Sequence, residues 1–364
     1  MDPGRKALTR SAGLRRLKDI VRSQPRLRLA NLPTPLQELP RLAAALGGPR
    51  LFMKRDDLTG MAFGGNKTRM FEFLLARAVQ VGADSVIAGA AVQSNYCRQI
   101  TAACNSLRLE TYLVLRRVRG SQDEEIQGNL LLDLLAGAHV QIVPGGPAEQ
   151  RQAILELERR LRREGRKPFL ARIAGDRDLV PDVLSYVDCF RETVEQCEEL
   201  GIAPASLYVA SVDTTQAGLE LGRAVAGMPL QIVGVTPATW EPGPQALIAG
   251  CANQAAKALG LPNRFQTQDI RNTTDFVGRG YGMPTPEAIA ALKLVARTEG
   301  VFLDPVYTGK AMAALTSHVR NGELKSDDSV VFLHTGAATA LFTYVQELDP
   351  EELCTHLQLV GPGA

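Results

Sequence analysis

Gly64-Gly65-Asn66-Lys67-Thr68-Arg69 follows directly on Lys54-Arg55-Asp56-Asp57-Leu58-Thr59-Gly60-Met61-Ala62-Phe63. Ahead of both, Leu51-Phe52-Met53 reads as a short apolar strand. The charged segment after it is turn-prone, and the two glycines let the backbone turn tightly or approach a ligand closely. From Lys67 a helical pattern begins, with Met70, Phe71, Phe73, Leu74, Leu75 and Ala78 as its apolar stripe. A lysine at a helix start opposes the macrodipole, which favours anions there. Two readings of Lys67 follow. One is a Schiff-base lysine, whose amine must be partly desolvated to become nucleophilic. The other is a solvated lysine on a first helical turn.

Outward from this junction, strands and helices alternate. Strands are expected at 85–89, 111–115, 140–143, 206–210, 231–235 and 329–333, with 168–173 extended. Helices are expected at 40–46, 95–106, 125–136, 149–164, 186–200, 217–226, 244–259, 285–298, 310–321 and 336–346. Short Val/Ile/Ala-rich strands between helices of this length indicate βαβ units and parallel sheets. The pattern breaks near 175–180 and at the glycines near 60–66. The expected fold is therefore α/β, with two parallel-sheet α/β domains: residues 1–66 and 180–364 form the larger, and residues 67–179 form a smaller inserted one. In such sheets ligands sit at the carboxyl ends of strands, which directs attention to the loops there.

The 364 residues suffice for two domains of ordinary size. A hydrophobic content of 45% and a charged content of 22% are those of a soluble globular protein. A net charge of +2 gives no argument for nucleic acid or an anionic membrane surface, and no apolar run is long enough to span a bilayer. Cys97, Cys104, Cys189, Cys197, Cys251 and Cys354 form no CxxC pair and show no metal-ligand spacing with the four histidines. Free buried thiols in a reducing compartment, hence a cytoplasmic location, are expected. The Arg-rich start, Arg5 to Arg28, reads as a solvated, poorly ordered arm with one short helix at 12–21; a transit peptide is the rival reading.

Five loops could carry chemistry. Gln93-Ser94-Asn95-Tyr96 follows a strand and opens a helix, so Ser94 and Asn95 are either helix caps or, with the helix N–H groups, a carboxylate site. Ser211-Val212-Asp213-Thr214-Thr215 stands in the same position after 206–210; it could cradle a phosphate, against the repulsion of Asp213, or simply cap a helix. Tyr281, in the Gly-dense loop Gly278 to Pro284, and Tyr307, just before a helix, are packing plugs or proton donors. Thr335 ends the last strand, as a cap or facing a ligand.

Taken together, Leu-Pro-Thr-Pro-Leu at 32–36, Lys-Arg-Asp-Asp-Leu-Thr-Gly at 54–60, Gly-Gly-Asn-Lys at 64–67, Gln-Ser-Asn at 93–95, Gly-Tyr-Gly at 280–282, Leu-Asp-Pro-Val-Tyr-Thr-Gly-Lys-Ala-Met at 303–312 and His-Thr-Gly at 334–336 resemble one group. It is the D-cysteine desulfhydrase / 1-aminocyclopropane-1-carboxylate deaminase family, enzymes dependent on pyridoxal 5'-phosphate (PLP) with the tryptophan-synthase β-like fold (fold type II). The resemblance spans about Leu32 to Phe342. It implies that Lys67 holds PLP covalently and shuttles the substrate's Cα proton. Ser94, Asn95 and the Tyr96 backbone would bind the substrate carboxylate, with Asn95 also near the PLP 3-oxygen. The loop Ser211, Val212, Asp213, Thr214, Thr215 would hold the phosphate, Thr335 would meet the pyridine nitrogen, and Tyr281 and Tyr307 would line the substrate side.

The chain departs from the family at three points. The phosphate loop is usually Gly-Ser-Gly-Gly-Thr, and only Thr215 of it survives. Tyr96 stands where desulfhydrases often have His and deaminases Gln, and its side chain is expected over the substrate. Ala337 replaces a Gly after His-Thr-Gly. Thr308 follows the desulfhydrase pattern, whereas the deaminases carry Glu. The leading expectation is a PLP-dependent lyase acting on a small amino acid, D-cysteine, giving pyruvate, sulfide and ammonia. The alternatives are the deaminase reaction, a lyase or synthase with another leaving group, and a fold that has lost catalysis. The family implies a homodimer.

Overall fold

In the computed structural model, which describes residues 3–173, 178–355 and 357, strands and helices alternate as the periodicity requires. The order is α1 (Pro3–Arg22), β1 (Leu36–Glu38), α2 (Pro40–Leu46), β2 (Arg50–Lys54), α3 (Asn66–Gln80), β3 (Ser85–Ala91), α4 (Asn95–Ser106), β4 (Glu110–Arg116), α5 (Gly128–Leu135), β5 (His139–Val143), α6 (Pro147–Arg163), β6 (Pro168–Arg172), α7 (Val180–Glu199), β7 (Ser206–Ala210), α8 (Thr214–Ala226), β8 (Gln231–Val235), α9 (Pro244–Ala258), β9 (Asn272–Thr273), α10 (Pro286–Glu299), α11 (Thr308–Arg320), β10 (Ser329–Leu333) and α12 (Pro350–Cys354).

The strands form two sheets. One has the order β1-β2-β10-β7-β8-β9 and the other β5-β4-β3-β6. Every pairing is parallel except β1 with β2. Val331 of β10 faces Phe52 of β2 on one side and Leu207 of β7 on the other, the run of buried apolar residues that a doubly covered parallel strand needs. The strands of the second sheet all lie between β2 and β7 in sequence. One apolar core nevertheless joins the two sheets, passing from Phe71 of α3 through Ile100 of α4 to Phe190 of α7 and Leu207.

Two expectations are corrected. The N-terminal arm is a helix, α1, that packs Leu14, Leu17 and Val21 into this core. These residues fall on one helical stripe, and Gly13 lets the backbone approach so closely that a Cβ there would lie 2.7 Å from Ala226 Cα. The expected helix at 336–346 is short 3-10 turns at Ala338–Thr343 and Gln346–Leu348. Ala337 takes a positive φ of 81°, and Thr339 Oγ1 donates to Asn129 of α5 at 2.9 Å. That side-chain tie draws the chain out of a regular helix.

Behind the Lys67 loop lies a buried ionic network. Arg69, on the first turn of α3, donates from Nε and one terminal nitrogen to Asp56 at 2.9 Å each. The guanidinium also reaches Glu192 of α7 at 2.8 and 3.0 Å. Lys54 bonds to the same Glu192 and, at 2.6 Å, to the Thr34 carbonyl. Burial opposes ionisation of Glu192, yet Arg69 and Lys54 outweigh it and hold the carboxyl down at about 2. The motifs at 32–36 and 54–60 are thus the anchors of α3. Among the described residues no helix is long and apolar enough to cross a membrane, and no His/Cys/Asp/Glu cluster could hold a metal.

Candidate active site

The loops that follow β3, β7 and β10 converge, at the carboxyl ends of their strands, on the start of α3. The turn before Lys67 is built by glycine. Gly64 has φ +69°, and a Cβ on it would overlap the Asp57 carbonyl oxygen. Thr59 Oγ1 clamps Gly65 from both sides, accepting from its N–H at 2.8 Å and donating to its carbonyl at 2.9 Å. Asn66 then ties the junction to two other loops. Its N–H donates to the Thr335 carbonyl at 3.0 Å, and its side-chain amide donates to Thr215 Oγ1 at 3.3 Å. Lys67 is half-buried at this meeting point.

Asn95 opens α4 and is joined to the lysine loop by its two neighbours. Arg98 donates to Asn95 Oδ1 at 2.8 Å, to Asn129 Oδ1 at 2.7 Å and to the Gly64 carbonyl at 3.0 Å; it also meets Thr339 Oγ1. Gln99 accepts from the Thr68 N–H and hydroxyl at 3.0 Å each and donates to the Asn95 carbonyl at 3.1 Å. Asn129 completes the set, its amide reaching Asn95 Oδ1 at 3.1 Å. Burial pulls Arg98 down to about 10 and pushes the nearby Asp133 carboxyl up to about 8, against their mutual attraction.

Asn95, Tyr281 and Tyr307 line one cleft, together with Ala91, Ala340 and Tyr344. The hydroxyls of Tyr281 and Tyr307 are hydrogen-bonded to each other. Burial raises the pKa of both, and for Tyr307 the neighbouring Tyr281 adds to it. Both hydroxyls are therefore protonated at neutral pH. Asp304 fixes the Tyr307 backbone by accepting from the N–H groups of Val306, Tyr307 and Thr308 at 2.8 to 2.9 Å.

The remaining expected residues fall out as follows. Ser94 Oγ caps α4, accepting from the Cys97 N–H at 3.3 Å. The Tyr96 ring, expected over the substrate, is instead in the core, 2% exposed and edge-on to Phe71; its hydroxyl donates to the Ala171 carbonyl at 3.3 Å. The second position of a helix that packs on α3 points inward, so only its backbone faces the loop. In the 211–215 loop, Ser211 Oγ accepts from the Gln216 N–H at 3.0 Å. Asp213 is the cap of α8, its carboxylate accepting from the Thr214 N–H at 2.6 Å and from the Thr214 hydroxyl at 3.2 Å. Val212 is half-buried, and Thr214 and Thr215 are buried. Thr335 is buried at the end of β10.

Sequence reasoning assigned no role to Arg98, Gln99, Asn129, Asp304 or Lys310. Arg98 and Gln99 lie three and four positions after Asn95, on one helix face, which was a usable signal. Asn129, 34 residues further on, had none.

Residues 27–336 match the family described as "Pyridoxal-phosphate dependent enzyme". The chain is similar to the D-cysteine desulfhydrase of Klebsiella pneumoniae (strain 342), 38% identical over 326 residues that cover 88% of this chain and 96% of that protein. It is equally similar to the D-cysteine desulfhydrase of Salmonella typhi, 38% identical over 329 residues with the same coverage. A solved structure described as an ACC deaminase homologue superposes with a TM-score of 0.82 at 33% identity, covering 91% of this chain and 98% of that one.

Proposed function

The chain belongs to the pyridoxal-phosphate-dependent enzyme family, and on that premise we propose that it is a lyase that converts D-cysteine and water to pyruvate, sulfide and ammonia. The residues present fit the cofactor. Gly336, at φ +92°, would place a Cβ 2.6 Å from Gly65 Cα, so the lysine junction is kept bare by glycine on both strands of chain. Thr335 gives a neutral hydroxyl for a ring nitrogen, and the α8 start gives N–H groups for a phosphate. Bound pyridoxal phosphate supplies a covalent tether for the substrate amine and a sink for the electrons left at Cα.

The protein supplies the rest. Lys67 holds the cofactor and moves the proton at Cα. Ser94, Asn95 and the Tyr96 N–H hold the substrate carboxylate at the α4 start, where the helix dipole favours an anion, and Arg98 fixes the Asn95 amide from behind. Tyr281 and Tyr307, protonated and mutually bonded, face the β-substituent and donate to the departing sulfur. A division into residues 1–66 with 180–364 and residues 67–179 is supported by the cleft lining, which takes Asn95 from the second unit and Tyr281 and Tyr307 from the first. Five buried cysteines that form no disulfide support a cytoplasmic location, and the exposed Leu131, Leu134 and Leu135 of α5 support a homodimer.

The observation that carries the substrate reading is Thr308. Its hydroxyl is closed onto Asp304, donating to Oδ1 at 2.7 Å and accepting from the Asp304 N–H at 2.8 Å. Position 308, beside Tyr307, therefore carries a neutral hydroxyl already engaged by Asp304, which suits a departing thiolate. The test is sulfide release from D-cysteine by the purified protein, with L-cysteine and 1-aminocyclopropane-1-carboxylate as comparators. Sulfide from D-cysteine alone is expected. 2-Oxobutanoate from the cyclopropane, without sulfide, replaces this reading by the deaminase one.

The phosphate end makes a separate prediction. Asp213 occupies the Thr214 N–H that an anion would use, and its charge repels one. Asp213→Gly is expected to bind the cofactor at least several-fold more tightly, measured by the cofactor retained on dialysis against phosphate. Weaker retention would mean that the cap of α8 matters more than the repulsion.

A further inference from the structure

We propose that Lys310 is a positioning residue for the tyrosine pair: its ammonium ties the loop that carries Tyr281 to the helix turn that carries Tyr307. The proposal rests on the functional reading above only for what the pair does to substrate; the tie itself is independent of it.

Lys310 is fully buried in the first turn of α11. Its Nζ donates to the carbonyl oxygens of Val277 at 2.7 Å, Pro237 at 3.3 Å and Gly280 at 3.4 Å. Val277 and Gly280 belong to the loop that delivers Tyr281, and Gly280 immediately precedes it. That loop has little order of its own: its internal backbone bonds are Val277 N–H to the Thr274 carbonyl at 3.1 Å and Met283 N–H to the Gly280 carbonyl at 3.3 Å. The ammonium, with three donors and no need of a counter-charge in the loop, is suited to gathering three carbonyls. Tyr307 stands at the N-cap of the same helix, where Asp304 holds its backbone. One helix start thus reaches both tyrosines, through a carboxylate at one end and an ammonium at the other, while Tyr344 holds the far side of the loop by donating to the Gly282 carbonyl at 2.9 Å.

The charged group acting on Lys310 among the described residues is Asp304, from its own turn. α10 packs against this turn through Ala288, while Glu287 of that helix and Arg279 of the loop are exposed. His318, two turns further along α11, is engaged by Tyr208 at 2.7 Å. Burial, only partly offset by Asp304, brings Lys310 down to about 8 from 10.5. The native value lies below the unfolded one, so the charged form costs stability at neutral pH, and global stability rises between these two pH values. Over the same interval the tie loses its charge and a donor. Loosening of the loop and global stability therefore move in opposite directions, which separates the two.

The chain carries its own reporter. Trp240 is the one tryptophan in the sequence, and its ring centroid lies 5.8 Å from that of Tyr281. Emission of the holoenzyme is followed through alkaline pH for the wild type, Lys310→Met, Lys310→Arg and Asp133→Asn. The wild-type emission is expected to change with a midpoint near 8. Lys310→Met should show the high-pH emission throughout, and Lys310→Arg, charged at every pH, no midpoint. The midpoint must persist in Asp133→Asn, which removes the other group brought to about 8. In Lys310→Met the sulfide-forming kcat/KM is expected to fall roughly 100-fold, as for a catalytic group displaced by about 1 Å, with cofactor absorbance retained. Flat wild-type emission across this range, or a midpoint that vanishes in Asp133→Asn, overturns the proposal even if Lys310→Met does not fold. A wild type that titrates as expected but releases no sulfide keeps the tie and removes the substrate reading instead.

Discussion

Lys67→Ala is expected to lower sulfide release from D-cysteine by roughly 10^2- to 10^4-fold, the range lost when a positioned proton-transfer group is removed, and to abolish covalent retention of the cofactor as well. The argument is local. Lys67 is half-buried where the glycine turn, Asn66, Thr335 and Thr215 meet, and the cation two positions on, Arg69, is committed to Asp56 and Glu192. Lys67→Arg should fare no better, because a guanidinium stays protonated and cannot act as a nucleophile. The check is borohydride reduction of the holoenzyme followed by mass measurement of the peptide that contains position 67. The wild-type peptide is expected to carry the reduced cofactor and the alanine variant's peptide to be unmodified. A wild-type peptide without added mass would place the covalent link elsewhere and dismantle the site. Circular dichroism should show both variants folded, since the position is on a first helical turn and not in the core.

The second large effect is on stability. Arg69→Met is expected to destabilise the protein by about 3–5 kcal/mol, the cost of leaving buried carboxylates uncompensated. Asp56 is fully buried and, among the described residues, would keep the hydroxyls of Thr34 at 2.8 Å and Tyr186 at 2.8 Å beside a weak thiol contact from Cys189. Glu192 would depend on Lys54 alone among its charged partners. The same network sets the acid limb. Glu192 titrates at about 2 in the folded protein against 4.5 ordinarily, so its contribution is complete above 4.5 and is lost as pH falls towards 2. Without Arg69 the folded value moves back up towards 4.5, so the variant should lose less stability between pH 7 and pH 4 than the wild type does. Urea midpoints at pH 7 and at pH 4, compared between the wild type and the variant, measure both. An unchanged midpoint at pH 7 would mean that water reaches the network and screens it.

These two residues stand two positions apart in a hexapeptide that looks uniform in sequence, and they show where sequence reading stops. The glycine turn, the strand before it and the apolar stripe after it were legible, because they follow from local sterics and a 3.6-residue period. For the same reason α4, β7, β8 and β10 lie at or within one residue of their expected bounds. That the loops after strands are the place to look was legible too, because parallel strands place their following loops at one edge.

Local patterns could not say which way the Tyr96 ring turns, that the basic arm packs as α1, or that residues 336–346 give up a helix for 3-10 turns. Each depends on a partner distant in the chain: Phe71 for Tyr96, Ala226 for Gly13, Asn129 for Thr339. Nor could they tell the guanidinium of Arg69, buried among carboxylates, from that of Arg98, buried among amides and a carbonyl. The order of residues determined the elements and the lysine junction. Tertiary packing alone decided which polar groups lost water and what replaced it, because the cost of burying a charge is set by neighbours that only the fold brings within hydrogen-bond reach.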